Sequence, residues 1–261
     1  MKKLTSLLLI LSVLFSLCAL LTSCGEQQPE LIVYTEAGFA PWETTQGTEV
    51  VGVDIEIAKY IAEKYGYKLT VINGNFDTIV AGISEDNAIG LAGISWSADR
   101  AEKVEFSDFY YEGAIQCVIY PTANASSVVN ENGEFAVSNL AGKTVGVQTG
   151  TTGHMFADGN QEDWGCEVKS YTQYLQAVQD MKDGVVDYII VDNSVAEQLC
   201  QNNSGYSYST CEGAEPEQYA AVAKLGNTEL IEKVNAAIAE LLVKNADGKS
   251  QIDLWLEQYM G

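Results

Sequence analysis

Short apolar runs alternate with amphipathic stretches along most of this chain, and they do so in two separate series. In the first series, residues 31–34 are predicted to form a buried strand, residues 53–62 carry apolar side chains at helical spacing, and residues 68–72 form a second strand. In the second series, residues 143–147 begin another strand–helix succession that ends at Asp192. Strands that alternate with helices favour parallel pairing. The sequence therefore predicts an α/β protein.

The middle of the chain indicates how the two series are joined. Residues 121–135 are polar and rich in serine and asparagine, which is typical of a loop or a linker. Crossings between the two units are expected near residues 115–120 and 218–222. We predict that lobe 1 comprises residues 31–114 and 220–261 and that lobe 2 comprises residues 115–219. Each lobe would be a mostly parallel sheet flanked by helices, with two hinge strands between the lobes and a cleft where they face each other.

The first 23 residues are predicted to be a signal peptide. Lys2 and Lys3 precede a largely apolar run at residues 4–21, and small residues follow it. The ending Leu21-Thr22-Ser23-Cys24 resembles a bacterial lipobox, which implies cleavage before Cys24 and lipidation of its sulfur. Residues 24–30 would then tether the protein to the outer face of the cell membrane. The alternative is an uncleaved signal anchor in which Cys24 has no role.

The charge and the cysteines exclude several classes of function. A formal net charge of −22 without a basic patch disfavours binding to nucleic acid or to anionic membrane surfaces. Cys117, Cys166, Cys200 and Cys211 are not spaced like zinc ligands, and we expect no metal and no cofactor. In an exported chain these cysteines could oxidise, with Cys200 and Cys211 as the first candidate pair among three possible complete pairings.

Residues 93–100 form the strongest candidate for a binding site. They follow a short apolar run, and a helix is expected to start within them, directly after Ser97 as its N-cap. Open α/β sheets bind ligands at the carboxyl ends of their strands, and a helix N-terminus favours an anion. Arg100 adds a planar set of donors that fits a carboxylate. The plainer alternative is a surface arginine preceded by capping serines.

Several segments, in consistent order and spacing, resemble the extracellular solute-binding proteins of the polar amino-acid family, the capture component of ABC transporters. The segments are residues 38–43, 51–58, 76–77, 91–100, 104–111, 145–153 and 186–192. The resemblance implies the two-lobed periplasmic-binding-protein fold, capture of a polar L-amino acid by lobe closure, and delivery to an ABC permease. We expect a monomer without catalytic residues.

The resemblance also assigns roles to groups of an α-amino acid ligand. The groups expected to bind its carboxylate are Arg100 and backbone N–H groups near Ser95 and Thr152. Thr151 and Thr152 would add donors from lobe 2. The groups expected to bind its ammonium are oxygens of Gly93, Ser95 and Asp192. For Asp192, capping of the following helix is the structural alternative.

The ligand's side chain is expected to enter a slot between Phe39 and Phe76, although core packing is the alternative for each ring. Glu36, at the end of the first strand, would favour arginine, lysine or ornithine by charge. Gln148 lies at the matching position of lobe 2 and could equally suit glutamine, so the residues leave the ligand open.

Two other classes of function fit the same scaffold. Some relatives of this fold are dehydratases of cyclic acids, and Glu36 or His154 could serve as the acid or base that catalysis needs. A ligand-sensing module for a partner receptor is the other alternative. The expected ammonium-binding set, Asp192 with Ser95, favours binding of an amino acid over the enzyme. Direct signalling is disfavoured because no later apolar run is long enough to span a bilayer, and sensing through a partner receptor stays open.

Overall fold

The computed structural model describes residues 28–261, which fold around two five-stranded sheets. The predicted signal peptide and Cys24 lie outside the described residues. The strands are β1 (Glu30–Thr35), β2 (Gly38–Phe39), β3 (Glu43–Gln46), β4 (Glu49–Val51), β5 (Lys68–Asn73), β6 (Ala88–Gly90), β7 (Val104–Ala114), β8 (Gln116–Pro121), β9 (Thr144–Gln148), β10 (Glu167–Tyr171), β11 (Tyr188–Asp192), β12 (Tyr206–Thr210) and β13 (Glu217–Lys224). The α-helices are α1 (Val53–Tyr65), α2 (Phe76–Val80), α3 (Ala98–Ala101), α4 (Ala125–Val128), α5 (Thr152–Trp164), α6 (Tyr174–Lys182), α7 (Asn193–Asn202), α8 (Thr228–Leu241) and α9 (Gln251–Met260).

The first sheet has the strand order β5-β1-β6-β13-β7. Strand β1 pairs in parallel with β5 and β6, whereas β13 runs antiparallel to β6 and β7. Helix α1 buries Ile57 and Ile61, and α8 buries Val234 and Ile238, in one core with Val33 of β1. These positions are spaced by four residues on each helix, which places them on one face.

The second sheet has the strand order β10-β9-β11-β8-β12. Strand β9 pairs in parallel with β10 and β11, and β8 runs antiparallel to β11 and β12. Alternate residues of β11 enter different cores, with Ile189 in one and Ile190 in the other, so the sheet is covered on both faces. The prediction of an α/β chain with two sheet-based lobes flanked by helices is confirmed.

The sheets differ from the prediction in their direction of pairing. Each contains two parallel and two antiparallel pairs, so both are mixed rather than mostly parallel. The antiparallel pairs involve β8 and β13, each of which directly follows one of the two connections between the sheets. Glu217 already pairs with Ala114 of the first sheet, so the boundary predicted at residue 220 falls inside β13. The two connections are Ile115 and residues 211–216.

Two polar segments form strands that the sequence did not predict. Strands β2, β3 and β4 make a small antiparallel sheet directly after β1. Strand β12 lies at the edge of the second sheet, where each of its residues is half-buried. Edge and hairpin strands need no apolar face, and hydrophobic periodicity therefore does not report them.

The cysteines do not form the expected pair. All four cysteines within residues 28–261 are free thiols. Cys200 packs against the same core as Ile189, whereas Cys211 belongs to the core of Ile190 on the other face of the second sheet. No helix within the described part of the chain is long and apolar enough to cross a membrane.

Candidate functional site

A narrow cavity lies where the two sheets face each other. It is lined by nine of the ten predicted ligand-binding residues, namely Phe39, Phe76, Gly93, Ser95, Arg100, Gln148, Thr151, Thr152 and Asp192. The tenth, Glu36, accepts a hydrogen bond from the Gln148 side chain of this cavity. The structure therefore brings the predicted residues of both lobes into one place.

Strand ends position these residues. Glu36 directly follows β1, Gly93 and Ser95 follow β6, and Gln148 and Asp192 are the last residues of β9 and β11. Parallel strands bring their carboxyl ends to the same edge of a sheet, and two such edges face each other here. The segment after β6 is also bound to β13. The backbone N–H of Trp96 donates to the carbonyl oxygen of Gln218 at 3.1 Å, and that of Ala220 donates to the carbonyl oxygen of Ile94 at 3.0 Å.

Arg100 is the cationic group of the cavity. Its side chain is buried, with 4% of the residue exposed, which excludes the surface-arginine alternative. Its guanidinium donates to the carbonyl oxygen of Ser95 at 2.6 Å and to that of Gly150, in the second lobe, at 2.9 Å. Burial lowers the pKa of Arg100 to about 10, against the opposing influence of nearby carboxylates. The group stays cationic at neutral pH, and its remaining N–H donors are available to an anion.

Asp192 provides a buried carboxylate beside the hinge. Its side chain makes no capping hydrogen bond to α7, so the capping alternative is excluded. It accepts from Gln116 Nε2 at 2.6 Å and from the hydroxyl of Tyr219. Burial, followed by the charge of Glu217, raises the pKa of Asp192 to about 7. A cation at this position would favour the ionised form.

Gly93 is held by an acidic residue that lies behind the cavity. Its φ of 52° and the proximity of Phe39, 2.7 Å from where a Cβ would lie, restrict the position to glycine. Its N–H donates to Asp54 Oδ2 at 2.8 Å, and the same oxygen accepts from Tyr110 at 3.0 Å. Asp54 thus fixes the backbone whose carbonyl we assigned to the ligand's ammonium.

Asp54 has a second acid, Glu43, as its neighbour. Both residues are fully buried. Burial first, and then the charge of the other carboxyl, raises the pKa of Glu43 well above its usual range. Burial raises the pKa of Asp54 to about 7. Neither residue was predicted to serve the site, because Asp54 has the local pattern of a helix start and Glu43 lies in a hairpin.

An acidic residue flanked by amides lies behind Gln148, one of the lining residues of the cavity. Glu36 is buried and accepts from Gln148 Nε2 at 3.0 Å and from Gln173 Nε2 at 3.2 Å. Burial raises the pKa of Glu36, and these hydrogen bonds oppose the rise. Both amides belong to the second lobe, so Glu36 is contacted across the cleft. Gln173 was not predicted, since it precedes α6 without any local signal.

Aromatic rings form the walls. Phe39 stacks on Tyr174 with ring centroids 6.1 Å apart, and the guanidinium of Arg100 lies 5.3 Å from the centroid of Phe76. Both phenylalanines line the cavity, and both are largely buried. Each ring can therefore contact a ligand and pack in the protein core at the same time. Trp96 is half exposed beside Ser95.

The hydroxyl groups of the two threonines donate to other groups of the protein. Thr151 caps α5 by accepting from His154 N at 3.0 Å, and it donates its proton to the Gln148 carbonyl oxygen at 2.8 Å. Thr152 donates its proton to Glu217 Oε2 at 2.7 Å. Both hydroxyl protons are therefore engaged within the protein, because a hydroxyl has a single proton to donate.

Comparisons with known proteins agree on one family. Residues 31–251 match the model of the bacterial extracellular solute-binding proteins, family 3. The chain is similar to the arginine-binding extracellular protein ArtP of Bacillus subtilis (strain 168), with 29% identity over 251 residues that cover 92% of this chain and 93% of that protein.

Solved structures are similar as well. One is described as an ancestral arginine-binding protein bound to arginine, with 31% identity and a TM-score of 0.77 over 90% of this chain and 100% of that chain. Another is described as an ancestral arginine-binding protein bound to glutamine, with 31% identity and a TM-score of 0.76 over 90% of this chain and 99% of that chain.

Proposed function

Because the chain belongs to the bacterial extracellular solute-binding proteins of family 3, we propose that its cavity captures a cationic L-amino acid, with L-arginine as the first candidate. Curated and structural relatives that bind arginine support this choice of ligand. The chain would deliver the ligand to an ABC permease. The observation that carries the choice of side chain is Glu36, a buried carboxylate directly behind the lining residue Gln148.

The proposed pose uses opposite charges for the two backbone groups of the ligand. The carboxylate would bind the free N–H donors of Arg100, with backbone N–H groups near Ser95 and Thr152 in support. The ammonium would bind Asp192, the carbonyl of Gly93 and the hydroxyl of Ser95. This pose is supported by the 3% exposure of Asp192 and by the position of all five residues on one cavity.

A cationic side chain would complete the environment of Glu36. Its carboxylate forms no ion pair with any cation among residues 28–261, and its two neighbours are neutral amides. A buried carboxylate gains more from a guanidinium, which offers donors in a plane, than from a neutral amide. The amide oxygens of Gln148 and Gln173 can accept further N–H groups of the same ligand.

The test is a calorimetric comparison of L-arginine, L-lysine, L-ornithine and L-glutamine, on protein that has been unfolded and refolded to remove any bound ligand. We expect L-arginine to bind most tightly. Glu36→Gln should weaken L-arginine about tenfold or more while changing L-glutamine little, because the variant removes one charge-assisted interaction. Tighter binding of L-glutamine than of L-arginine by the parent, or an unchanged preference in the variant, would contradict the assignment.

We also propose that the mature protein is a monomer, anchored outside the cell membrane through a lipid on Cys24. The sequence around Cys24 supports the anchor. The two lobes would close about the connections at Ile115 and residues 211–216. The hydrogen bonds from Gln148 to Glu36 and from Arg100 to Gly150 support closure, since each joins the two lobes across the cavity.

A further inference from the structure

Glu217, the first residue of β13, carries a carboxylate to which the pose above gives no role. The residue is half-buried, and both oxygens accept hydrogen bonds from residues at the cavity. Oε1 accepts from Gln116 Nε2 at 2.8 Å, and Oε2 accepts from Thr152 Oγ1 at 2.7 Å. Since β13 belongs to the first sheet and both donors belong to the second lobe, Glu217 joins the lobes at the hinge end of the cavity.

One amide holds two carboxylates at this point. Gln116 Nε2 donates to Asp192 Oδ1 at 2.6 Å as well as to Glu217, and Thr152 Oγ1 is a more distant third acceptor at 3.4 Å. The opposite amide orientation would direct a carbonyl oxygen at two acceptors, so the donors fix the orientation. The Gln116 carbonyl oxygen instead packs against Gly153, where an added Cβ would lie only 2.6 Å away. Asp192 and Glu217 are therefore held next to each other by a single neutral group.

The contact with Glu217 also sets the polarity of Thr152. The hydroxyl proton is directed at Glu217, and the oxygen accepts from Gln116 Nε2 at 3.4 Å, which leaves one lone pair of the oxygen for a ligand. Thr152 lines the cavity, and in this orientation it can accept an N–H of an ammonium but cannot donate to a carboxylate. The contact with Glu217 therefore makes the Thr152 hydroxyl oxygen, close to Asp192, a further hydrogen-bond acceptor for an ammonium.

The charges around the cavity are unequal. Glu36, Asp192 and Glu217 are three acids, whereas Arg100 is the one cationic side chain among the lining residues of the described chain. On the basis of the amino-acid capture proposed above, we propose that Glu217 and Asp192 form a two-carboxylate seat for the ligand's α-ammonium group. Glu217 is a positioning residue in this seat, because it acts through Asp192, Gln116 and Thr152. The seat selects α-amino acids over carboxylic acids that lack the amine.

The surroundings of Asp192 determine how the seat responds to pH. Burial and the charge of Glu217 raise the pKa of Asp192. Hydrogen bonds from Tyr219 and Gln116 and the charge of Arg100 oppose this rise. The other ionisable groups that face this carboxylate are Tyr111 of β7, Cys117 of β8 and Tyr174 of α6, whose pKa values are raised by burial first and also by the charge of Asp192. Binding of an ammonium requires the ionised carboxylate, so affinity should rise with pH until Asp192 is ionised. Removal of the Glu217 charge should move this rise to lower pH.

The experiment compares two ligands that differ in one group. L-arginine carries the α-amine and 5-guanidinopentanoate lacks it, and each is titrated by calorimetry into the refolded parent and Glu217→Gln. The variant keeps the shape of the side chain and removes its charge. We expect Glu217→Gln to weaken L-arginine about tenfold and the deamino analogue less than about twofold. Glu232→Gln, which removes the same charge at an exposed position of α8 outside the cavity, should leave both affinities unchanged.

Each outcome distinguishes the seat from the function on which it rests. Glu36→Gln should weaken both ligands, since both carry the guanidinium. Equal losses for the two ligands in Glu217→Gln, or an unshifted pH profile for L-arginine, would overturn the seat while leaving amino-acid capture intact. If the parent binds L-glutamine but not L-arginine, the ligand assignment fails, and the same comparison is made with L-glutamine and its deamino analogue 4-carbamoylbutanoate. If the parent binds no α-amino acid, capture and seat are both overturned.

Discussion

Glu43 and Asp54 are two residues that shape the cavity without lining it. Both oxygens of Glu43 and Oδ1 of Asp54 are buried without another hydrogen-bond partner. Two carboxyl groups in this position satisfy each other only when one of them keeps a proton, which can then bridge them. The remaining oxygen of Asp54 binds Gly93 and Tyr110. We infer that a retained proton is part of the support for the segment after β6.

This pair predicts how stability depends on pH. The pKa of Asp54 is raised to about 7 and that of Glu43 is raised further above its usual range, so the folded state binds more protons than the unfolded state above about pH 4. The free energy of unfolding should therefore fall as pH rises from about 4 to 7, by up to about 1.4 kcal/mol per pH unit for each retained proton. Glu43→Gln, whose amide can donate to Asp54, should make this fall shallower. Urea unfolding at several pH values measures it.

Glu49→Gln is the matched control, because Glu49 lies exposed in the same small sheet and its replacement removes the same charge. This variant should show the slope of the parent. If Glu43→Gln also retains the parent's slope, the shared proton is not at this pair.

The site residues that the sequence predicts share a local signal, and those that it misses do not. Ser95, Arg100 and Asp192 follow apolar strands or begin helices, where exposed polar groups are typical of binding sites. Gln116 and Glu217 reach the cavity only because β8 and β13 lie on either side of the hinge. Their roles depend on contacts between residues about 100 positions apart, which no window of sequence contains.

At the scale of elements, α5 begins where the second lobe meets the cavity, and its cap ties the helix to the site. Thr151 accepts from His154 N and donates to the last residue of β9. We expect Thr151→Ala to lower the free energy of unfolding by about 1 kcal/mol through loss of the cap. The Thr151→Ser control keeps the hydroxyl and should retain most of the stability. Denaturant midpoints at constant m-value give the comparison, and equal losses in the two variants would show that the methyl group, not the cap, matters.

Amphipathic elements were predictable and polar ones were not. Strand β1 and helix α1 have buried residues at the spacings that the sequence displays. Strands β3 and β12 are formed by glutamate, threonine, glutamine, serine and tyrosine, without an apolar alternation, and their pairing comes from neighbouring strands. The antiparallel direction of β8 and β13 was not predicted, because strand direction follows from the path through the hinge rather than from composition.

At the scale of the whole molecule, the proposed attachment to the membrane depends on Cys24. We expect Cys24→Ser to move the protein from the membrane fraction of expressing bacteria to a soluble exported fraction, since the variant lacks the sulfur that would carry the lipid. Immunoblots of both fractions measure the shift, with Cys166→Ser as a control that should stay in the membrane fraction. Equal distribution of the Cys24→Ser variant and the parent would contradict the anchor.

The position of β13 has a consequence for the order in which the lobes can form. Strand β13 inserts between β6 and β7, although it follows them by more than a hundred residues. The second sheet, in contrast, is built from one continuous stretch, β8 to β12. A chain that emerges amino end first through a translocation channel can therefore finish its second lobe while the first still lacks a central strand. Until β13 pairs with them, the facing edges of β6 and β7 stay unpaired and accessible to folding factors outside the membrane. Insertion of β13 is therefore the step at which such folding factors would have the largest effect.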